Sequence, residues 1–415
     1  MSAQIRNPDA TTRMNEVVIF DGIRTPFGRH GGALAQLRPD DMLAACIGAV
    51  VESTRVDAAV IEDVIAGDTN QAGEDSRNVA RNAALLAGLP VEVAGLTVNR
   101  LCGSGIAAVL DAFHALRSGN GQLMIAGGVE SMSRSPWVLS KAESSFARDQ
   151  KIYDSTIGWR FPNPRFIERY GGDSMPETAD NIAKELLIGR EDSDRFALRS
   201  QQRYETSRAA GFFSEELLPV QIAASRPKEP PITVSADEHP RPEVTFEKLA
   251  SMKPLQAGGV VTAGNASGIN DGAGALLIGT AEVGKKLGLK PRARILSGAV
   301  AGVEPRLMGL GPVPASQKAL RRAGLDLAKL DVIEINEAFA TQVLGCLKQM
   351  QIPFDEARVN PNGGAIAVGH PLGASGIRLV LTAMRQLERA RGRYALATMC
   401  IGLGQGIAIV LERCA

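Results

Sequence analysis

The sequence predicts an α/β protein built as two similar halves around an insert, and three observations carry that reading. Short echoes recur in one order at nearly one offset. Asp63-Val64-Ile65 returns as Asp331-Val332-Ile333, 268 residues on, and Ser104-Gly105-Ile106 returns as Ser375-Gly376-Ile377, 271 residues on. Apolar runs such as 17–20 and 407–411 are continuous, as expected of strands covered on both faces. Residues 133–260 hold 12 of the 18 aromatic residues but only 7 of the 44 glycines, which sets that stretch apart from a Gly- and Ala-rich core. Strands alternating with helical patterns then imply stacked layers of helix and sheet.

In chain order, residues 1–14 carry Arg6, Asp9 and Arg13 without an apolar core, and read as a disordered extension rather than a signal peptide. Residues 15–132, joined by 261–290, form the first half. Within it the apolar run 95–101 gives way at Cys102 to a segment with Ile106, Val109, Leu110, Phe113 and Leu116 at helical spacing, stopped by Gly119. Residues 123–128 read as a strand running into glycines. The insert, 133–260, contains a Pro-rich run at 226–231 and a helical pattern over 194–210 ended by Gly211, and reads as a separate lid or loop domain. Residues 291–415 form the second half, where 395–402 is again a strand running into glycine.

Composition narrows the function classes. A net charge of +1 gives no electrostatic case for nucleic acid or a membrane surface. No apolar stretch approaches the roughly 18 residues of a membrane span. The five cysteines, at 46, 102, 346, 400 and 414, make neither a disulfide framework nor a zinc spacing, so no metal is expected and a reducing cytoplasm is the default.

Four residues are candidates for chemistry. Cys102 stands where a strand turns into a helix, and the free N–H groups there favour a thiolate, drawing the pKa from about 8.5 toward neutrality. The alternative is a buried cysteine capping a helix. His370 lies between Gly369 and Pro371 in a Gly-rich loop before a helix, where small neighbours suit a ring aimed at a reacting group; a structural or solvated histidine is the alternative. Cys400, at a strand end before glycines, is a second thiol or a core residue. Asn336 follows a strand and is placed to donate to an oxygen, or is a buried structural amide. The Gly-x-Gly-x-Gly at 402–406 precedes another β-like run and no helix, which argues against a dinucleotide fingerprint.

These motifs, in this order, resemble the thiolase family along essentially the whole chain, together with Arg24-Thr25-Pro26-Phe27-Gly28 and the segment 262–272. The resemblance implies the thiolase fold: two duplicated βαβαβαββ halves in five layers, α-β-α-β-α, with an inserted loop domain. It implies Cys102 as the nucleophile that takes an acyl group from coenzyme A, and His370 as the acceptor of its proton. Cys400 would be the acid/base at the α-carbon, with a pKa near the operating pH. One oxyanion site would be His370 with a water held by Asn336, the other the backbone N–H groups of Cys102 and Gly402. Arg241 and Ser267 would contact coenzyme A, and Met175, Met308 and Phe339 would wall the tunnel. Coenzyme A is implied as co-substrate with no tightly bound cofactor, ping-pong kinetics follow from the acyl-cysteine, and a homotetramer built from dimers is implied.

Segments 70–81, 156–164 and 175–181 resemble the 3-oxoadipyl-CoA branch, whose reaction is cleavage to succinyl-CoA and acetyl-CoA in aromatic-compound catabolism. A selective site then needs a cation for the terminal carboxylate, and Arg160, Arg165 or Arg169 is the expectation; surface or structural roles are the alternative. Three positions depart from relatives. Ser174 stands where biosynthetic acetoacetyl-CoA thiolases carry histidine, Leu403 where many relatives carry glycine, and Gly103 where this branch often has alanine. The rival readings are an acetyl-CoA C-acetyltransferase acting on acetoacetyl-CoA or other 3-ketoacyl-CoA, a decarboxylating condensing enzyme, against which Cys400 argues, and a non-catalytic acyl carrier.

Overall fold

The structure, a computed structural model, describes residues 14–223 and 230–414. The expected N-terminal extension, Met14 apart, and most of the Pro-rich run lie outside those residues. Nine strands carry the fold: β1 Val17–Arg24, β2 Asp63–Gly67, β3 Ala94–Val98, β4 Leu123–Ser131, β5 Asn270–Thr280, β6 Ala293–Gly302, β7 Val332–Ile335, β8 Tyr394–Ile401 and β9 Gln405–Arg413. The principal helices are α1 Pro39–Thr54, α2 Val79–Leu86, α3 Ser104–Arg117, α4 Met175–Leu186, α5 Arg190–Ala209, α6 Pro312–Ala323, α7 Ala340–Gln349 and α8 Leu372–Ala390.

The strands lie in the order β3-β2-β4-β5-β1-β6-β9-β8-β7. β2 is parallel to β3 and β4, β7 is parallel to β8, and the remaining pairs are antiparallel. The first half therefore reads βαβαβαββ. The second repeats it, with a single parallel bridge between Ile333 and Val359 where a third strand would stand. β1 and β6 share only the pairs Val18–Arg294 and Ile19–Ala293, so the path divides there into two sheets.

Side chains alternate along a strand with period two, so each sheet buries two faces. Ile19, Ile65 and Met124 of one sheet meet Ala397, Met399 and Ile409 of the other around Ile106, Val109, Val380 and Met384 of α3 and α8. The intervening Val18, Val64 and Ile125 pack beneath α1 and α2. Leu396, Ala408 and Val410 pack beneath α6 and α7. Five layers result.

The two central helices meet through glycine. A Cβ at Gly105 would press on the Gly373 carbonyl and the Ile377 nitrogen, and one at Gly376 on the Ile106 nitrogen. Only hydrogen lets the backbones come so close. That crossing brings the first turns of α3 and α8, and the segments that precede them, to one end of the molecule.

Between Ser131 and Asn270 the chain leaves the main sheet, but its helices do not stand apart. Ile182 and Ala183 of α4, with Phe196 and Ala197 of α5, join Val343, Leu344 and Leu347 of α7 in one cluster. Arg24 of β1, wholly buried, is held by Glu216 at 2.6 Å and Asp237 at 2.7 Å, and the Tyr204 hydroxyl donates to Asp237 at 3.0 Å. Breaking such a buried pair costs about 3–5 kcal/mol, so the segment is clamped to both halves. α5 begins four residues before the expected 194, because Gly189 supplies the break and Glu191 and Asp192 occupy its first turn. Among the described residues no helix is long and apolar enough to cross a membrane.

Candidate active site

Cys102 sits in the turn that joins β3 to α3. Leu101 before it is held at φ 47°, in the left-handed region that costs a residue with a β-carbon about 1–2 kcal/mol. Side chains on both sides fix the turn. The Leu101 N–H donates to Asn99 Oδ1 at 2.9 Å, the Arg100 N–H to Ser104 Oγ at 2.9 Å, and the Ser104 hydroxyl to the Leu101 carbonyl at 2.6 Å. The cysteine is half-buried, and the backbone N–H groups of Gly402 and of Cys102 itself point at its sulfur. The expected near-neutral thiol is not found. Burial outweighs the helix terminus and pushes the thiol up to about 11, the two N–H groups offsetting it only in part and the Glu130 charge adding to it.

His370 follows Gly369, which at φ 100° has no room for a Cβ against Asn270. The His370 N–H donates to Asn270 Oδ1 at 2.9 Å, and Asn270 Nδ2 donates to the Gly28 carbonyl at 2.8 Å, so the first half anchors a loop of the second. The ring's tautomer follows from its partners. The Ser375 hydroxyl gives its one proton to the Pro371 carbonyl at 2.9 Å, so its contact with His370 Nδ1, at 2.6 Å, requires Nδ1 to be the donor. Nε2 is then unprotonated, and its lone pair accepts from Asn336 Nδ2 at 3.3 Å. Burial, and then Arg378, push the imidazole down to about 4, so it is neutral. A neutral ring with an unprotonated Nε2 can act as a base.

The Asn336 N–H is tied to the Thr398 carbonyl at 3.0 Å, beside Cys400. Cys400 is 1% exposed in an apolar cluster with Met175, Met308, Ala338 and Phe339. Burial first, then the nearby Cys102 and Cys346, keep this thiol well above its ordinary range. It departs from the expected mid-range thiol and holds its proton, as an acid does. Gly402, two residues on, has Leu101 and Met175 as its nearest neighbours, and Ile401 packs where a Cβ at Gly103 would lie. Cys102, His370, Asn336, Cys400 and Gly402 thus converge at one end of α3 and α8.

The 262–272 loop lies along this site. The Ser267 N–H donates to the Ala338 carbonyl at 2.9 Å and Ala266 bridges Phe339. Arg241 is half-buried, with Nη1 3.4 Å from the Ala263 carbonyl, and burial, then Arg29, lower its pKa. Beyond Met175 a narrow cleft is walled by Trp159, Phe166, Tyr170, Leu403 and Arg306. None of the three expected arginines borders it. Arg165 and Arg169 are exposed, Arg169 stacking on Tyr170 at 5.3 Å, and half-buried Arg160 donates to the Ser155 carbonyl at 3.0 Å. Among the described residues no cluster of His, Cys, Asp and Glu is arranged to hold a metal. Sequence reasoning assigned no role to Ser375 or Asn270; a serine five residues after the histidine, on the first turn of the following helix, was the available signal for the former.

Comparison with known proteins gives a consistent pattern. A family model for the thiolase N-terminal domain matches residues 17–282 and one for the thiolase C-terminal domain matches 289–413. The 3-oxoadipyl-CoA/3-oxo-5,6-dehydrosuberyl-CoA thiolase of Escherichia coli (strain K12) is 57% identical over 96% of this chain and 100% of its own length. A beta-ketoadipyl-CoA thiolase of Pseudomonas aeruginosa is 56% identical over 96% of this chain and 99% of its own. Among solved structures, the Bacillus anthracis acetyl-CoA acetyltransferase superposes with a TM-score of 0.91 at 36% identity, covering 97% of this chain and 100% of that one. Human mitochondrial 3-ketoacyl-CoA thiolase in complex with CoA gives 0.88 at 36% identity, over 97% and 99%.

Proposed function

This chain belongs to the thiolase family of acyltransferases, and from that premise we propose that it cleaves 3-oxoadipyl-CoA with coenzyme A to succinyl-CoA and acetyl-CoA. The observation that carries the chemistry is the meeting of two protonated thiols with a neutral imidazole whose Nε2 is unprotonated. As the Cys102 sulfur attacks C3 of the substrate, its proton passes to His370 Nε2. The Cys102 and Gly402 N–H groups receive the oxyanion that forms. Collapse breaks the C2–C3 bond, leaving a succinyl thioester on Cys102 and the acetyl-CoA enolate, whose oxygen faces His370 and the Asn336 amide. Cys400 protonates C2 and acetyl-CoA departs. The thiol of a second coenzyme A then gives its proton to the Cys400 thiolate and attacks the succinyl group. Cys102 leaves as a thiol on recovering the proton from His370, and succinyl-CoA is released. Cys400, which burial keeps well above the ordinary thiol range, carries the proton that C2 receives.

Coenzyme A would lie along the 262–272 loop and the insert, 133–260, with Ser267 and Arg241 as contacts and Met175, Met308 and Phe339 around the reacting end. The acyl arm would enter the cleft beyond Met175. There Arg306 replaces the three insert arginines as the candidate reader of the terminal carboxylate. Its partner Glu185, at 2.7 Å, forms an exposed pair worth about 0–1 kcal/mol, weak enough for a substrate carboxylate to compete. The exposed edge strand β3, with Leu85, Leu86, Val91 and Leu96 around it, is a natural subunit contact and supports the homotetramer. Five free cysteines fit a reducing cytoplasm.

Thiolysis of 3-oxoadipyl-CoA, acetoacetyl-CoA and 3-oxohexanoyl-CoA, side by side, tests the reading through loss of the 3-ketoacyl chromophore. The dicarboxylic substrate should give the highest kcat/KM; an equal or better acetoacetyl-CoA makes the protein a general acetyltransferase. Arg306→Leu should cut the 3-oxoadipyl rate about 10- to 100-fold and spare the uncharged six-carbon chain, while Glu185→Gln keeps the discrimination.

A further inference from the structure

A buried carboxylate that takes no part in the steps above stands between the two catalytic turns. Glu130, one residue from the end of β4, is 1% exposed. Its Oε2 accepts from the Gly373 N–H at 2.9 Å, in the first turn of α8 and three residues beyond His370, and from the Thr69 N–H at 3.3 Å. Its Oε1 accepts from the Thr69 hydroxyl at 2.8 Å. The Thr69 carbonyl accepts from Asn99 Nδ2 at 3.1 Å, and Asn99 Oδ1 accepts from the N–H of Leu101, the left-handed residue before Cys102. An unbroken hydrogen-bonded path therefore runs from the His370 loop through Glu130 and Thr69 to the Cys102 turn. Glycine makes the path short: a Cβ at Gly373 would strike the Val129 and Gly67 carbonyls, so no larger residue lets α8 begin this close to β4.

We propose that Glu130 is a positioning residue whose carboxylate fixes the turn carrying His370 against the turn carrying Cys102. This rests on the roles given to those two residues above. Three donors and the N-terminal end of α8 favour the charged form, whereas burial pushes Glu130 up to about 7. The ionisable groups that face it are Asp68, which burial and then the Glu130 charge push well above the ordinary carboxylate range, Asp75, and Cys102, whose thiol the Glu130 charge helps to push up. The carboxylate thus has a mechanical effect and an electrical one, and the two separate in experiment.

Glu130→Gln keeps an oxygen for the Gly373 N–H and removes the charge; Glu130→Ala removes both. Thiolysis should fall about 10- to 100-fold in kcat for Gln and further for Ala, with KM for coenzyme A within about twofold of wild type. The pH midpoint of Cys102 alkylation by iodoacetamide should move down in Glu130→Gln, because a negative charge beside the thiol is gone. If neither variant folds, Thr69→Val removes the hydroxyl bonded to Oε1 and should show the same kcat loss at about 3- to 10-fold. Wild-type kcat in Glu130→Gln or Thr69→Val, or an unshifted alkylation midpoint in Glu130→Gln, overturns the proposal. If Cys102→Ala still turns over, the underlying assignment fails instead, independently of Glu130.

Discussion

The turn before α3 and the loop before α8 occupy matching places in the two halves, yet they hold their reactive groups by different means. Cys102 is half-open, and its position comes from a strained backbone stitched by Asn99 and Ser104. His370 is enclosed, and its position comes from side-chain partners on both ring nitrogens and an asparagine reaching over from the first half. The nucleophile proposed at Cys102 must be reached by substrate and released from it, so its backbone carries the precision. The base proposed at His370 must present one nitrogen, so its ring carries it. The strand ends are exchanged in the same way. Glu130 and Ile401 face the central layer at equivalent places, 271 residues apart, and each serves the other half's helix: Glu130 binds Gly373 of α8, while Ile401 packs on Gly103 ahead of α3. A duplicated scaffold has become one site by each half finishing the other's turn.

The largest effects come from breaking that division of labour. Cys102→Ala and Cys400→Ala should each lower thiolysis by at least about 10³-fold, but for different reasons. With acetyl-CoA alone, the Cys400 variant should still acquire one acyl group at Cys102, seen as a mass increment on the peptide that contains it. The Cys102 variant should acquire none. Acylation surviving in Cys102→Ala would move the nucleophile elsewhere and end the comparison.

Much of this was legible in the sequence, and its failures are instructive. The Ser-Gly-Ile echo is real because two helices crossing at Gly105 and Gly376 need glycine in both copies. The Asp-Val-Ile echo is misleading. Val64 faces the outer layer whereas Val332 faces the central one, so an offset of 268 matches residues on opposite faces of their strands. Cys102 was readable as a strand–turn–helix cysteine from local pattern alone. Its protonation state was not, because burial in a five-layer fold outweighs a local helix terminus and leaves no mark on neighbouring residues. The insert was recognisable by its aromatics, but Tyr204 and Phe213 turn out to pack with Phe27 beside the buried Arg24 pairs, and no local pattern announces contacts between residues about two hundred positions apart.

A middle-sized effect sharpens the contrast between backbone and ring. Ser375→Ala leaves Nδ1 without its acceptor and frees the ring to carry its proton on Nε2, the wrong nitrogen for a base. The expected outcome is a fall in kcat of about 10- to 100-fold with KM for coenzyme A unchanged. Thr in place of Ala should restore most of it, since its hydroxyl occupies the same place. Equal losses in the Ala and Thr variants would show that packing, and not the tautomer, is what Ser375 provides.

The smallest effect concerns strain, which the Cys102 turn and the hairpin between β8 and β9 both contain. Leu101 at φ 47° and Leu403 at φ 65° are left-handed leucines beside Cys102 and Gly402, and only Leu403 is exposed, at 43%. Glycine relieves about 1–2 kcal/mol of left-handed strain but loses about 0.5–1 kcal/mol through the freedom it gives the unfolded chain. Leu403→Gly should therefore stabilise the protein by about 1 kcal/mol or less, read as a higher denaturant midpoint at an unchanged slope. Leu403 walls the cleft proposed for the acyl arm, so the same variant should lose about threefold in the proposed preference for 3-oxoadipyl-CoA over acetoacetyl-CoA. Leu101→Gly should relieve similar strain and yet cost kcat, because the freed turn no longer fixes the sulfur. If Leu403→Gly proves less stable than wild type, the side chain's packing outweighs its backbone strain, and the two leucines are held for a common structural reason rather than one for aim and the other for selectivity.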